Sequence, residues 1–391
     1  MHVDYTPEQA ALRDELRSYF SELITDKVRQ ELRGSEGGGP EYTRILKQLA
    51  ADGWLGIGWP KEYGGQGRSA IEQYIFAEEV QRTGFPLPFL TLGTVGPTIM
   101  HYGTEEQKQR FLRPILNGDL QFAIGYSEAD AGTDLASLKT RAVRDGDDWV
   151  INGSKIWTSL ADYADFIWLA VRTDPEAPKH RGISMIIVPT DAPGYKCTPI
   201  WTMAGVRTNA TYFDDVRVPH ANLVGGENMG WSLITGQLNL ERISLVNVSN
   251  YESVYDDLVQ WSRDTKLPDG RAVIEQPWVQ QSLARCHAQI DVLKLMNWKQ
   301  AWASTKGMVH PSESSAAKVY GTEMAVRIYE WMMEIIGESS VVAEGSPEAI
   351  LRGKIERMYR AALILTFGGG TNEVQRDIIA MAGLGMPHYK N

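Results

Sequence analysis

The stretch WVINGSKIWTSLADYADFIWLAV, residues 149–171, is where the chain changes period. Trp149-Val150-Ile151 and Lys155-Ile156-Trp157 flank Asn152-Gly153, a dipeptide suited to the positive φ angles of a tight turn, so a hairpin is expected here. Further strands are expected at 166–171, 183–188 and 211–218. Short strands separated by Gly, Pro and Asp turns predict a small barrel or sandwich. Before this region the pattern is helical. Thr6-Pro7-Glu8-Gln9 places Thr at a cap, Pro at the first helical position and Gln three residues after the cap. Leu12, Leu16 and Phe20 follow at helical spacing. Two more helices are expected at 42–51 and 70–82, stopped by Gly53 and Gly84. After the β region, spans at 229–264, 276–305, 313–336 and 347–365 are long and closely joined, which predicts an antiparallel bundle. The fold class is therefore α+β, mainly α. Its parts are an N-terminal helical domain (1–120), a middle β-barrel domain (121–228) and a C-terminal helical bundle (229–391).

The chain has 391 residues and a net charge of -10. An acidic chain without clustered Lys and Arg argues against nucleic acid as a partner. No stretch approaches the ~20 apolar residues of a membrane span. The opening MHVDYTPEQAALRDELR has no basic region followed by an apolar run, so no secretory signal is expected. The two cysteines, Cys197 and Cys286, form neither a CxxC motif nor a disulfide framework, which fits a reducing cytoplasm. The seven histidines show no metal-ligand spacing, so no metal is expected.

Four segments stand out chemically. IGYSEADAGTDLASLKT (124–140) brings Ser127, Gly132 and Thr133 together at the entry to the β region. Hydroxyls and N–H groups in such a turn suit a flavin edge or a phosphate, and a plain Gly/Asp turn gives the same pattern. KIWTSLADYADF places Trp157 beside Thr158 and Ser159. An indole there either covers a flavin face or fills a core. LTFGGGTNEVQRDII (365–379) joins one helix to the next. Gly368, Gly369 and Gly370 allow close backbone approach to a ligand, and Thr371, Asn372 and Glu373 suit a helix start that either meets a phosphate or is simply capped. QLNLERISL (237–245) carries Glu241 and Arg242 in an apolar helical setting, where a surface ion pair is the ordinary explanation. Gly125-Tyr126-Ser127-Glu128-Ala129 is not a hydrolase elbow, because it ends in Ala and is followed by a turn. The glycines near Gly56 and Gly368 lack the strand-to-helix spacing of a dinucleotide fingerprint.

Taken together and in this order, the segments resemble the acyl-CoA dehydrogenase family along essentially the whole chain. YSEADAGTD is similar to the family's YxxTEPxAGSD signature, KIWTS to its KxWIT stretch, and FGGGTNEVQRDII to its YEGTxxIQRxxI stretch. RGISMIIVP and VRVPHANLVGGENMGW resemble the end of its barrel and the linker into its bundle. The resemblance implies FAD as cofactor and Tyr126, Ser127, Thr133, Trp157, Thr158, Ser159, Thr371 and Glu373 as its contacts. It implies an acyl-CoA substrate met by Thr133, Asn239, Arg242, Gly369 and Gly370. It also implies an electron-transferring flavoprotein as acceptor.

Three departures from the family pattern carry information. Most members place their catalytic Glu where this chain has Gly369. Others carry it on a bundle helix before an Arg, a pattern similar to Leu240-Glu241-Arg242, so the resemblance makes Glu241 the base. A carboxylate suits proton removal once water is excluded and the thioester oxygen has donors. Homotetrameric members lend an Arg-x-x-Phe-Gly element to a neighbour's FAD, whereas residues 265–279 here read TKLPDGRAVIEQPWV. The family's QxxGGxG turn is replaced by Glu334-Ile335-Ile336-Gly337-Glu338, which adds negative charge where a diphosphate would bind. A heteromer is thus expected, an α2β2 assembly with a homologous partner subunit and one FAD per heterodimer. This resembles actinobacterial members that act on steroid side chains. An acyl-CoA oxidase, or a structural subunit completing a partner's site, are the alternatives.

Overall fold

The computed structural model describes residues 4–32 and 36–387; the side chains of Asp26 and of residues 238–245 also lie outside the described set. Among the described residues, six α-helices precede the sheet: α1 (Pro7–Leu23), α2 (Asp26–Glu31), α3 (Pro40–Ala51), α4 (Ala70–Arg82), α5 (Gly96–Tyr102) and α6 (Glu105–Leu116). The α1 start is the expected capping box: the Gln9 N–H donates to Thr6 Oγ1 at 3.3 Å and the Thr6 N–H donates to Gln9 Oε1 at 3.0 Å. Leu12, Leu16 and Phe20 are its buried stripe. Ser69 and Glu72 make the same box for α4, and Thr104 and Gln107 make it for α6. Sequence periodicity does not pick out α2, α5 and α6, because two are a turn or two long and α6 carries Pro114 inside it.

Eight strands follow: β1 (Phe122–Gly125), β2 (Arg141–Asp145), β3 (Asp148–Lys155), β4 (Phe166–Arg172), β5 (Ile183–Pro189), β6 (Tyr195–Trp201), β7 (Arg207–Pro219) and β8 (Leu223–Val224). They form one sheet in the order β6-β7-β3-β2-β4-β5-β8, with β1 paired in parallel to β4. The hairpin expected at Asn152-Gly153 is absent. The strand β3 runs straight through that dipeptide, and the turn lies earlier, at Gly146 with φ +63°. Gly153 marks instead a register shift against β7, and a Cβ there would come within 2.6 Å of Thr140 Oγ1. Trp149, Ile151, Ile167, Leu169, Val171, Ile186, Val188, Phe213, Val216 and Val218 build the buried core of the sheet.

The C-terminal helices are α7 (Gly230–Leu245), α8 (Ser249–Asp264), α9 (Pro277–Thr305), α10 (Pro311–Ile336), α11 (Lys354–Leu365) and α12 (Asn372–Ile378). The single helix expected over 229–264 is two. The break falls at buried Val246, Asn247 and Val248, where Asn247 Oδ1 accepts the Ser249 N–H at 2.9 Å and so competes with the helical ladder. The expected span 347–365 begins with an irregular turn, since Leu351 and Arg352 have φ +49° and +59°. Among these helices α10 packs against α9, α11 and α12, and α4 packs against α8 and α9. Their core includes Tyr251, Leu258, Leu283, Ile290, Leu293, Ile328, Tyr329 and Met332.

By contacts the chain divides into two compact units. One comprises Met1–Phe20, Ser69–Gly84 and Arg242–Asn391; the other comprises Ser21–Arg68 and Phe85–Glu241. They are called here the bundle unit and the sheet unit. Among the described residues no helix is long and apolar enough to cross a membrane.

Candidate active site

In the sheet unit, the segment after β1 is held from below. The Ser127 carbonyl accepts the Ile156 N–H at 2.9 Å. The Glu128 carboxylate accepts the N–H groups of Lys139 at 2.7 Å and Thr140 at 2.8 Å, and the Lys155 ammonium at 2.8 Å. Lys155 Nζ also donates to the Tyr126 carbonyl at 3.0 Å. Burial pushes the Lys155 ammonium down to about 8, with Glu128 acting in the opposite direction. Burial alone would raise the Glu128 carboxyl, but Lys155 and the two backbone donors outweigh it and hold it below the usual range. Around this base the turn itself is open: Thr133 is exposed, and a Cβ at Gly132 would meet nothing within 4 Å.

Lys155 ends β3, and the chain then turns sharply. Thr158 is buried and its N–H donates to the Asn209 carbonyl at 2.9 Å, while Asn209 Nδ2 donates to the Thr158 carbonyl at 3.1 Å. The Thr158 hydroxyl lies 3.5 Å from that of Thr211, and the Ser159 hydroxyl 3.3 Å from that of Thr208. Trp157, between these anchors, has φ +62° and is 57% exposed. A bulky non-glycine residue at positive φ is a genuine outlier, kept only where its surroundings impose it. The indole is therefore not a core residue but one presented outward at a strand end.

The helix α7 carries Asn239, Glu241 and Arg242. Their side chains lie outside the described residues. One turn before Glu241, Gln237 is buried, and its Oε1 accepts the Tyr126 phenol and, at 3.1 Å, the Trp168 indole N–H.

In the bundle unit, Gly369 and Gly370 have φ +67° and +94°, so this turn uses the conformational freedom of glycine. Thr371 caps α12 by accepting the Val374 N–H at 3.3 Å. Glu373 sits exposed in the first turn, where its own backbone N–H and the Thr371 hydroxyl hold its carboxyl below the usual range. The turn is fixed by Lys318, fully buried on α10, whose Nζ donates to the carbonyls of Thr366 at 3.2 Å and Gly370 at 2.8 Å and to Asn372 Oδ1 at 2.8 Å.

Sequence patterning passed over Lys155, Glu128, Gln237 and Lys318. The signal for Lys155 was present, since it continues the inward parity of Trp149 and Ile151 once β3 is read as one strand. Lys318 lies one turn from the buried Ser314, Ser315, Gly321 and Thr322 on the apolar side of α10.

Helices, then a sheet carrying an outward indole, then helices with a glycine turn make a three-part chain. Three family models match the chain. They are Acyl-CoA dehydrogenase N-terminal domain over residues 6–119, middle domain over 123–216 and C-terminal domain over 228–384. The chain belongs to the acyl-CoA dehydrogenase family. It is 55% identical over 397 residues to acyl-CoA dehydrogenase FadE26 of Mycobacterium tuberculosis, covering 99% of each chain. It superposes on a chain of the ChsE4-ChsE5 complex from Mycobacterium tuberculosis with TM-score 0.94, 55% identity and 100% of both chains covered. A chain of the Tcur3481-Tcur3483 steroid ACAD gives TM-score 0.94 at 50% identity, again with 100% of both covered.

Proposed function

We propose that this chain is the base-bearing subunit of an FAD-dependent α2β2 acyl-CoA dehydrogenase, and that its substrate is the CoA ester of a steroid side chain. The observation that carries the flavin reading is Trp157: an indole held outward at φ +62° by buried Thr158 has the flat face a flavin ring requires. On this reading Tyr126, Ser127, Thr133, Trp157, Thr158 and Ser159 of the sheet unit and Thr371 and Glu373 of the bundle unit hold the FAD, the open turn at exposed Thr133 and the outward Trp157 being what supports it. When bound, FAD supplies the acceptor for the hydride that leaves Cβ. Glu241 takes the proton from Cα, and the electron pair of that C–H bond becomes the new π bond as the hydride leaves. Gly369 offers its N–H to the thioester oxygen, so the developing enolate is stabilised as it forms. Thr133, Asn239, Arg242 and Gly370 contact the acyl-CoA. An electron-transferring flavoprotein takes up the reducing equivalents, and the site of action is the cytoplasm. The parts of the chain run over 1–120, 121–228 and 229–391.

Two observations favour the heteromer. The single Arg in the segment 265–279, Arg271, is turned to Asp269 within its own loop, with contacts of 2.6 and 2.8 Å. The ChsE4-ChsE5 and Tcur3481-Tcur3483 structures each pair two named chains, and the second is a steroid ACAD. The substitution Glu241→Gln, made in the chain co-expressed with its partner, is expected to cut turnover of an acyl-CoA about 10³-fold, within the range seen for loss of a general base. Flavin content should stay unchanged. Normal turnover in this variant would remove the assignment.

A further inference from the structure

The antiparallel ladder between β3 and β7 runs through Gly153 with Phe213, Ser154 with Tyr212 and Lys155 with Thr211. Continued by two residues, it would set Trp157 opposite Asn209. Trp149, Ile151 and Lys155 are all buried, so the same parity would send the Trp157 indole inward. The ladder does not continue. The Asn209 carbonyl accepts the N–H of Thr158 at 2.9 Å, one residue later than this register sets. A slip of one residue exchanges the two faces of a strand. Thr158 therefore takes the buried place, and Trp157 turns out to solvent at φ +62°.

Asn209 also closes the slip with its side chain, which is fully buried. Its Nδ2 donates to the Thr158 carbonyl at 3.1 Å and to Asp162 Oδ1 at 3.0 Å, and Asp162 in turn pairs with Arg207 from β7. Two acceptors on one nitrogen fix which way the amide lies. That orientation leaves Asn209 Oδ1 buried with no hydrogen-bond partner among the described residues, which is unfavourable. A tryptophan in the left-handed region is unfavourable too, and Leu160, at φ +66°, is a second bulky residue held that way in the same segment. A β3 that simply ran on, with Trp157 in the core, would incur none of this. We infer that Asn209 is the positioning residue of the Trp157 indole: its carbonyl and its amide shift the chain by one residue after β3 and so present the ring outward to a flavin face. This rests on the reading of Trp157 as the flavin-facing residue.

Two substitutions test this, each made in the complex co-expressed with its partner and loaded with FAD. Asn209→Ala removes both side-chain donors. Asn209→Asp keeps the shape but sets an oxygen against the Thr158 carbonyl and the Asp162 carboxylate. Trp157→Phe is the reference. The readouts are the fluorescence yield of the bound flavin, which a stacked indole quenches, and the FAD dissociation constant. Both Asn209 variants should raise the flavin fluorescence toward that of Trp157→Phe and weaken FAD binding about tenfold, the equivalent of one hydrogen bond lost from the grip. Added to Trp157→Phe, Asn209→Ala should raise the fluorescence no further, because both act through one ring. A purely structural role would instead lower the midpoint of urea unfolding and leave the flavin of the folded, loaded complex as dark as in the parent. That result in Asn209→Ala would overturn the inference, whether or not Asn209→Asp folds. A Trp157→Phe complex whose flavin is as dark and as tightly held as the parent's would overturn the flavin reading beneath it. A bright flavin in Trp157→Phe beside a dark one in Asn209→Ala would leave that reading standing and reject only the role of Asn209.

Discussion

Lys155 has no exposed side-chain surface, yet it carries a charge at the end of a strand. Only Glu128 and a backbone carbonyl make that tolerable, because a buried ammonium without partners would shed its proton or unfold its surroundings. The pair is an arrangement in which removing one member harms more than removing both. Lys155→Met leaves the Glu128 carboxylate, 9% exposed, with two backbone donors and no cation, and should cost about 3 kcal/mol in urea unfolding at neutral pH. Adding Glu128→Gln to that variant should restore part of the loss, since the stranded charge is gone. A Lys155→Met protein as stable as the parent would show that the charge is not confined as the geometry has it. The same residue explains why the site was only partly legible in the amino-acid order. Asn152-Gly153 looks like a turn, and a turn there sends Lys155 to solvent. A bulge there keeps it inside. The difference is set by pairing with β7, a contact made some 60 residues further along the chain, which local turn chemistry does not contain.

At the scale of elements, the first helix cap and its apolar stripe were legible because they are local: Thr6 with Gln9, and Leu12, Leu16 and Phe20, lie within a few residues of one another. The break between α7 and α8 was not, since Val246 and Val248 continue an apolar pattern and only the Asn247 side-chain bond reveals the kink. Likewise no local rule joins the segment before α1 to α4 and α9, yet a polar clasp does so inside the bundle unit. The Tyr5 hydroxyl donates to Glu78, the Tyr74 hydroxyl donates to Glu78 at 2.6 Å, and the Trp298 N–H donates to the Tyr5 oxygen at 3.2 Å. Burial raises the Glu78 carboxyl above its ordinary value of 4.5; the two phenols and Lys294 oppose the rise and Glu252 adds to it. The folded chain therefore holds this proton more tightly than the unfolded chain. Stability from this group is greatest below about 4.5 and declines as pH rises through the folded pKa. Glu78→Gln, neutral at every pH and still able to accept one phenol, should remove that slope. Urea unfolding at pH 5 and pH 8 should show the variant gaining on the parent as pH rises. A constant difference between the two would mean that Glu78 does not titrate with folding.

At the scale of the whole molecule, the chain must find its cofactor with a surface that is net acidic by ten charges. A diphosphate is held by cations or by free backbone donors. In the segment 265–279 the one arginine is already committed to Asp269, and Glu338 stands just past the negative C-terminal end of α10, with Gly337 at φ +76° between them. The segment's other cation is the exposed Lys266, a point charge without the planar fork with which an arginine grips a diphosphate. On the proposed α2β2 assembly, a homologous subunit that keeps an arginine in the equivalent position would supply what is missing, once per pair of unlike chains. Expressed alone, the chain should therefore purify with well under half a molar equivalent of FAD and lose it on gel filtration. Co-expressed with its partner, it should yield one FAD for each pair of unlike chains. Installing an arginine at Gln276 or Pro277 in the lone chain should not restore binding by itself, because Glu338 still repels the diphosphate. A homotetramer of this chain with every site filled by FAD would refute the need for a partner and leave Arg271 and Glu338 without the consequence assigned to them.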